Sequence, residues 1–184
     1  GTVAECHSEN QVLGDWWVGG LVGMNKGEIN KCYNTGSTVS SGDYVGGLVG
    51  ENYFGIVSNS FNKGSINGNS YVGGLIGYNY FGRISNSFNI GLLVGNENIG
   101  GLVGYNDGGA VESSYWDIET SGQTSSAGGG AGKTTTEMKQ RATYEGWDFT
   151  NIWRINEGKS YPYLLWNVNL HSADQNKNYI IELY

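Results

Sequence analysis

Apolar positions along this chain recur on two scales. Within short runs they alternate with period two, and the same apolar run returns every 27 residues. VGGLVGMN starts at Val18, VGGLVGEN at Val45, VGGLIGYN at Val72 and IGGLVGYN at Ile99. Each octet ends in Asn (Asn25, Asn52, Asn79, Asn106) and is followed by a Gly-containing turn at Gly27, Gly55, Gly82 or Gly108-Gly109. A short strand comes next, with Ile29, Val57, Ile84 or Val111, then a small residue (Cys32, Ser60, Ser87, Ser114), then an aromatic one (Tyr33, Phe61, Phe88, Tyr115). A third segment turns at Gly36, Gly64 or Gly91 and leads into the next octet. Short β-runs separated by Gly turns at a fixed period, with no helical spacing between them, specify a β-solenoid.

The predicted architecture is all-β: a parallel β-helix of about four 27-residue coils, with a C-terminal aromatic-rich cap containing a short helix. The solenoid occupies 1–116, with a partial coil at 1–17 and coils at 18–44, 45–71, 72–98 and 99–116. The first coil has one residue fewer before its strand and one more after it, which keeps the 27-residue circumference. Stacked coils place equivalent residues about 4.8 Å apart, so each repeated position becomes a ladder. The Ile/Val and aromatic positions differ by an even number, which predicts that both ladders face inward. The Asn positions predict stacked amides bonding from coil to coil, with a ligand role as the weaker alternative.

Residues 117–166 read as a cap. Ser121 to Gly132 reads as a flexible Gly/Ser loop. Thr134 to Ala142 reads as a short helix opened by the capping box Thr134-x-x-Glu137. The aromatic residues Trp147, Phe149, Trp153, Tyr161, Tyr163 and Trp166 are expected in strands that cover the open end of the last coil, which would otherwise template aggregation. Residues 167–184 read as a linker or the start of a following segment.

Composition narrows the function classes. Thirty-two Gly with one Pro would suggest disorder if 38% hydrophobic and 13% aromatic residues were not placed periodically. Ten Lys plus Arg against 17 Asp plus Glu give net charge −7, which is no footprint for nucleic acid or anionic lipid. No run of 18 apolar residues provides for membrane insertion. The chain opens inside a repeat with no signal peptide, so it is expected to be a mature or excised piece of a longer protein. Asn-x-Ser/Thr acceptors are absent.

The four octets, each followed by Gly, Ile/Val and a small-aromatic pair, resemble GLUG-motif repeats. The tail fits the same resemblance through Tyr115-Trp116-Asp117, Thr120-Ser121-Gly122, Gly146-Trp147-Asp148-Phe149, Trp153 and Tyr161-Pro162-Tyr163-Leu164. The resemblance covers about residues 1–166. It implies a repetitive extracellular or cell-surface β-structure of bacterial and archaeal adhesin-like proteins, or a non-catalytic part of an IgA-specific metallopeptidase. No catalytic residue, metal or cofactor carries over from it.

The candidate chemistry is sparse. Ala127 to Thr134 loosely matches a phosphate-binding loop, but the segment before it is polar, where the motif needs a buried strand. Cys6 and Cys32 occupy equivalent positions in adjacent coils, close enough for a disulfide and equally consistent with two free thiols. A zinc site is disfavoured, since His7 faces the other way and the one other histidine is His171. Asp43 and Glu97 share a coil position two coils apart, the one pairing that could serve a glycosidase. The stronger hint is aromatic. Tyr53-Phe54 and Tyr80-Phe81 repeat at one turn, and Trp17, Tyr44 and Tyr71 precede the octets. Exposed aromatic ladders either bind carbohydrate or protein, or shield the coil edge. The expected function is a structural and adhesive module of a larger secreted or cell-surface protein, meeting carbohydrate, a host or neighbouring-cell surface protein, or other domains of its own chain. The alternatives are a polysaccharide lyase or hydrolase built on a β-helix, and an ancillary domain of a secreted protease.

Overall fold

The computed structural model describes residues 1–167. It is a stack of parallel coils, and each coil is a series of very short strands. The second full coil contributes Val45–Gly46, Val49–Tyr53, Ile56–Ser58, Phe61–Asn62 and Ile66–Asn67. Each pairs in parallel with its equivalents in the coils before and after, as Val49 does with Val22 and Ile76. The partial coil joins the same stack, with Thr2–Ala4 on Glu28–Asn30, His7–Ser8 on Tyr33–Asn34 and Val12–Gly14 on Thr38–Ser40. Strands this short have little stability alone, so parallel pairing and the shared interior hold them.

The octet does not lie in one wall. Val45–Gly46 belongs to one sheet and Val49–Tyr53 to the next, so the octet turns a corner at Gly47-Leu48. Gly47 is needed there, because a Cβ would lie 2.2 Å from the Gly74 carbonyl oxygen and 2.4 Å from the Asn62 amide carbon. The interior on one side of this corner is a stack of Ile29, Leu48, Val49, Val57, Leu75, Ile76, Ile84, Leu102 and Val103. A second stack holds Val18, Val45, Ile66, Val72 and Leu93. Each such side chain, fully withdrawn from water, contributes about 1.5–3 kcal/mol.

Two buried amide ladders run along the rod. Asn25, Asn52 and Asn79 each donate from Nδ2 to Oδ1 of the next rung (Asn52, Asn79 and Asn106) at 2.7–2.8 Å. The second ladder, Asn34–Asn62–Asn89, links at 3.0 and 2.9 Å. Its amides also close the following turns, as when Asn62 Nδ2 donates to the Gly64 carbonyl and Asn62 Oδ1 accepts from the Gly64 N–H. A buried amide needs these partners, and the repeat supplies them. Trp116 ends this second ladder, standing over Asn89 in register and donating from Nε1 to the Gln123 carbonyl.

The aromatic ladder is on the outside of the coil, contrary to the even-spacing expectation. The residue before each small one is left-handed: Lys31, Asn59, Asn86 and Ser113 have φ between 42° and 55°. A left-handed residue breaks the period-two alternation and reverses which side the next side chain takes. Cys32, Ser60, Ser87 and Ser114 therefore turn inward, and Tyr33, Phe61, Phe88 and Tyr115 turn outward. The serines hold the kink: the Ser60 N–H donates to Ser87 Oγ, while Ser60 Oγ donates to the Ser58 carbonyl.

The outward aromatics are buried because the C-terminal segment packs along the rod's flank. Tyr33, Phe61 and Phe88 form a second core with Met138, Tyr144, Trp147, Trp153 and Leu164. This corrects the placement of the cap, since those aromatics cover the side of the rod rather than its end. The end is closed by the glycine-rich run, expected as a flexible loop. Gly129–Lys133 is a strand, paired in parallel with Ala110–Asp117 as one more rung. Gly128, Gly129 and Gly130 have φ of 80°, 122° and 83°, and a Cβ on Gly130 would strike Leu102 at 2.5 Å. Glycine is what lets this last rung descend onto the core. Thr134 forms the expected capping box with Glu137, but the helix is a single turn, Thr135–Met138, short of the expected Ala142. Buried Asp117 ties end to flank by accepting hydrogen bonds from the Glu119 N–H, the Thr135 hydroxyl and the Tyr161 hydroxyl. The linker expected over residues 167–184 lies outside the described residues except for Asn167, which closes a 3₁₀ turn.

Candidate functional site

The strands Val22–Asn25, Val49–Tyr53, Ile76–Tyr80 and Val103–Asp107 form one sheet. Its inward ladder is Asn25, Asn52, Asn79 and Asn106. The residue before each Asn takes the opposite side, which makes Met24, Glu51, Tyr78 and Tyr105 an outward ladder. Left-handed corners flank this sheet. Trp17, Tyr44 and Tyr71 precede the octets with φ of 51°, 62° and 54°, and Phe54 and Phe81 follow with φ of 53° and 48°. The left-handed corner throws each ring clear of the coil. The first coil lacks a counterpart of Phe54, and this is the residue it is short of before its strand.

These rings form one continuous surface. Tyr44 stacks on Trp17 at 5.9 Å and on Tyr71 at 5.0 Å between centroids. Tyr78 contacts Tyr44, Tyr105 and Tyr80, and through Tyr80 the surface reaches the stacked pairs Tyr53–Tyr80 and Phe54–Phe81. Trp16 extends it beyond Trp17. Trp16 is 55% exposed, Phe54 58%, Phe81 49% and Tyr105 43%, so the face is available as well as aromatic. Many ring faces are already taken: Tyr44 lies between Trp17 and Tyr71, and Tyr53 between Tyr80 and the Lys26 ammonium, 5.2 Å above its ring. Phe54, stacked on Phe81 alone, and Trp16, with tilted contacts alone, are the most exposed of the rings. Burial, then the Asp107 carboxylate accepting its proton at 3.4 Å, pushes the Tyr78 phenol up to about 12. Burial, then Tyr71, Asp43 and Glu51, raises Tyr44 as well. Both remain hydroxyl donors at neutral pH.

Sequence reasoning found Tyr53, Phe54, Tyr80, Phe81, Trp17, Tyr44 and Tyr71, and the structure brings all seven to this face. It missed Tyr78 and Tyr105, which join the two groups. The signal was their position, next to an Asn that must point inward.

The other candidates do not converge on it. Cys6 and Cys32 are free thiols, not a bridge: Cys6 Sγ donates to the Ala4 carbonyl, and Cys32 Sγ to the carbonyls of Asn30 and Val3. Burial raises the Cys32 thiol above the ordinary range, which keeps it protonated. Asp43 accepts from the Asn69 amide at 2.8 Å and the Ser70 N–H at 3.1 Å, so its carboxylate ties one turn to the next. Glu97 is exposed one rung beyond Ser70. Ala127 to Thr134 is the closing rung, with backbone groups spent on pairing, and makes no phosphate cradle. Among the described residues no three His, Cys, Asp or Glu side chains come together as metal ligands would.

The family description "The GLUG motif" matches residues 41–67, 68–91 and 95–116. The octet from Val18 lies outside the matched residues yet pairs rung by rung with the matched coils. No curated protein matches the chain. A crystal structure described as "a putative immunoglobulin A1 protease from Bacteroides ovatus" is similar in fold, with a TM-score of 0.65 at 22% identity. The match covers 91% of this chain and 58% of that one, so this chain spans little more than half the length of the protein it is similar to.

Proposed function

We propose that this chain, whose residues 41–116 carry GLUG motifs, is a non-catalytic structural and adhesive module of a larger cell-surface or secreted protein. The observation that carries this reading is the continuous exposed aromatic face over the octet strands. Exposed aromatic surface of that extent marks an interaction site more often than it marks idle surface. Its geometry is fixed by backbone pairing, so it meets a partner without ordering loops first, which favours affinity. Most of these rings are stacked on one another, which leaves few free faces for a sugar ring and suits a flat protein surface better. A host or neighbouring-cell surface protein is therefore the favoured partner, and carbohydrate the second. The likeness to part of a protein described as an immunoglobulin A1 protease is compatible with an ancillary place in a secreted enzyme. The reading calls for no cofactor.

The test is binding of the full chain to panels of extracellular proteins and glycans. Phe54→Ser and Phe81→Ser are expected to weaken the bound partner at least tenfold without lowering the melting temperature. No partner in either panel would sink the adhesive half and leave the rod as a spacer. Cleavage of acidic polysaccharides, abolished by Asp43→Asn or Glu97→Gln, would overturn the non-catalytic reading.

A further inference from the structure

A cavity of about 180 Å³ lies between the flank of the rod and the C-terminal segment, away from the aromatic face. Lys63 enters it from the second coil, and Lys139 and Lys159 from the segment that covers the flank. Three of the chain's ten Lys and Arg thus line one small space, in a protein of net charge −7. No carboxylate lines the cavity. Among the described residues the ion pairs use His7, Lys31, Arg83 and Lys133, none of them from this group. Lys63 and Lys139 instead rest on ring faces, 5.1 Å from the Phe61 centroid and 5.3 Å from that of Tyr161. Lys63 is exposed as a whole residue, while burial of its ammonium among neighbouring protein lowers its pKa from the ordinary lysine range.

The three ammonium groups present up to nine N–H donors, and no carboxylate lines the space to accept from them. A bound anion would supply that acceptor. Ser160 and Tyr163 also line the cavity; Ser160 Oγ accepts from the Asn156 N–H and keeps its own proton to donate, and a phenol can donate to or accept from a neutral hydroxyl. The space is below the usual range for a drug-sized ligand, so it fits one ring and not a chain. We infer that this cavity binds a single acidic sugar unit, its carboxylate or sulfate held by Lys63, Lys139 and Lys159 and its hydroxyls by Ser160 and Tyr163. The site is separate from the aromatic face, so it stands or falls independently of the proposed adhesive role.

Isothermal titration of the full chain with glucuronate, glucose 6-sulfate, glucose and inorganic sulfate tests this. At least one acidic sugar should bind, and the two acidic arms tell carboxylate from sulfate. Glucose should not bind, and inorganic sulfate should bind at least tenfold more weakly than the acidic sugar. Lys63→Met and Lys139→Met should each weaken the acidic sugar about tenfold while keeping the aliphatic stem in place. A melting curve confirms that each variant is folded, and Lys159→Gln, at an exposed position, replaces either one that is not. No binding of either acidic sugar, equal binding of glucose, equal binding of inorganic sulfate as an adventitious ion only, or binding unchanged by the substitutions would each overturn the inference.

Discussion

The Trp166 indole N–H donates to the Lys31 carbonyl at 2.8 Å, closing a loop of 135 residues. The Trp147 indole makes the same kind of bond, at 2.9 Å, to the carbonyl of Ser113. Lys31 and Ser113 are equivalent left-handed residues in the coils that open at Val18 and Ile99. The C-terminal segment therefore grips the same kink at two rungs three coils apart and spans the coils between. A repeat protein whose coils touch only their neighbours gains from such a strap a contact that no single rung supplies.

The strap protects a ladder that would otherwise be exposed. Phe88 is fully buried between its stacking partner Phe61 and the indoles of Trp147 and Trp153. Phe88→Ala is expected to cost about 3–5 kcal/mol in urea unfolding. Deleting residues 134–184 should expose the whole ladder and produce strong binding of an apolar dye. A truncated chain with an unchanged midpoint and no dye binding would refute the flank packing.

The two flank tryptophans differ in a way that mutation can read. Trp147 Nε1 has the Ser113 carbonyl, whereas Trp153 Nε1 is buried without a partner. Phenylalanine at position 153 removes an unsatisfied donor, while at 147 it strands a part-buried carbonyl. Trp147→Phe should destabilise by about 1–2 kcal/mol more than Trp153→Phe. Equal losses in thermal unfolding would contradict the assigned bond.

The amide ladder has a centre and an end. Asn62 accepts from Asn34 and donates to Asn89 and the Gly64 carbonyl, all buried. Asn106 ends its ladder half-buried, accepting from Asn79 and donating to the Gly109 carbonyl. Asn62→Ala should cost about 2–4 kcal/mol and Asn106→Ala roughly half as much, since each stranded buried group costs about 1–3 kcal/mol. Denaturant midpoints of the two variants decide this.

Alkali should unfold the protein from a defined set of tyrosines. Burial, then Asp117, raises Tyr161 to about 12; burial, then Asp107, raises Tyr78 to about 12; burial, then Tyr161, Asp117 and Tyr115, raises Tyr144 further. A raised folded-state pKa means that the native chain binds more protons than the unfolded one above pH 10. Stability is therefore full below about pH 10 and falls as pH rises toward 12. Circular dichroism across pH 8–12 should show this loss, and Tyr144→Phe should shift its onset upward once its own lower starting stability is subtracted. Flat stability to pH 12 would contradict the burial of these phenols.

The sequence by itself determined the repeat, its 27-residue circumference, the Asn ladder, the capping box at Thr134 and most of the aromatic face. Each follows from local spacing, and stacking converts a repeated position into a ladder whatever surrounds it. Only the tertiary structure decided which side of the coil the Tyr33, Phe61 and Phe88 ladder takes. Parity of spacing pointed inward, but a left-handed residue at Lys31, Asn59 and Asn86 reverses it, and two of those three are Asn, a residue type that tolerates this conformation. The same holds for the glycine-rich run from Ala127. Read alone it looks flexible, yet over the open edge of the last coil its missing side chains are what allow close descent onto Leu102. Backbone pairing at a rod's end and a strap returning from Trp166 to Lys31 are contacts between distant parts of the chain, and periodicity carries no record of them.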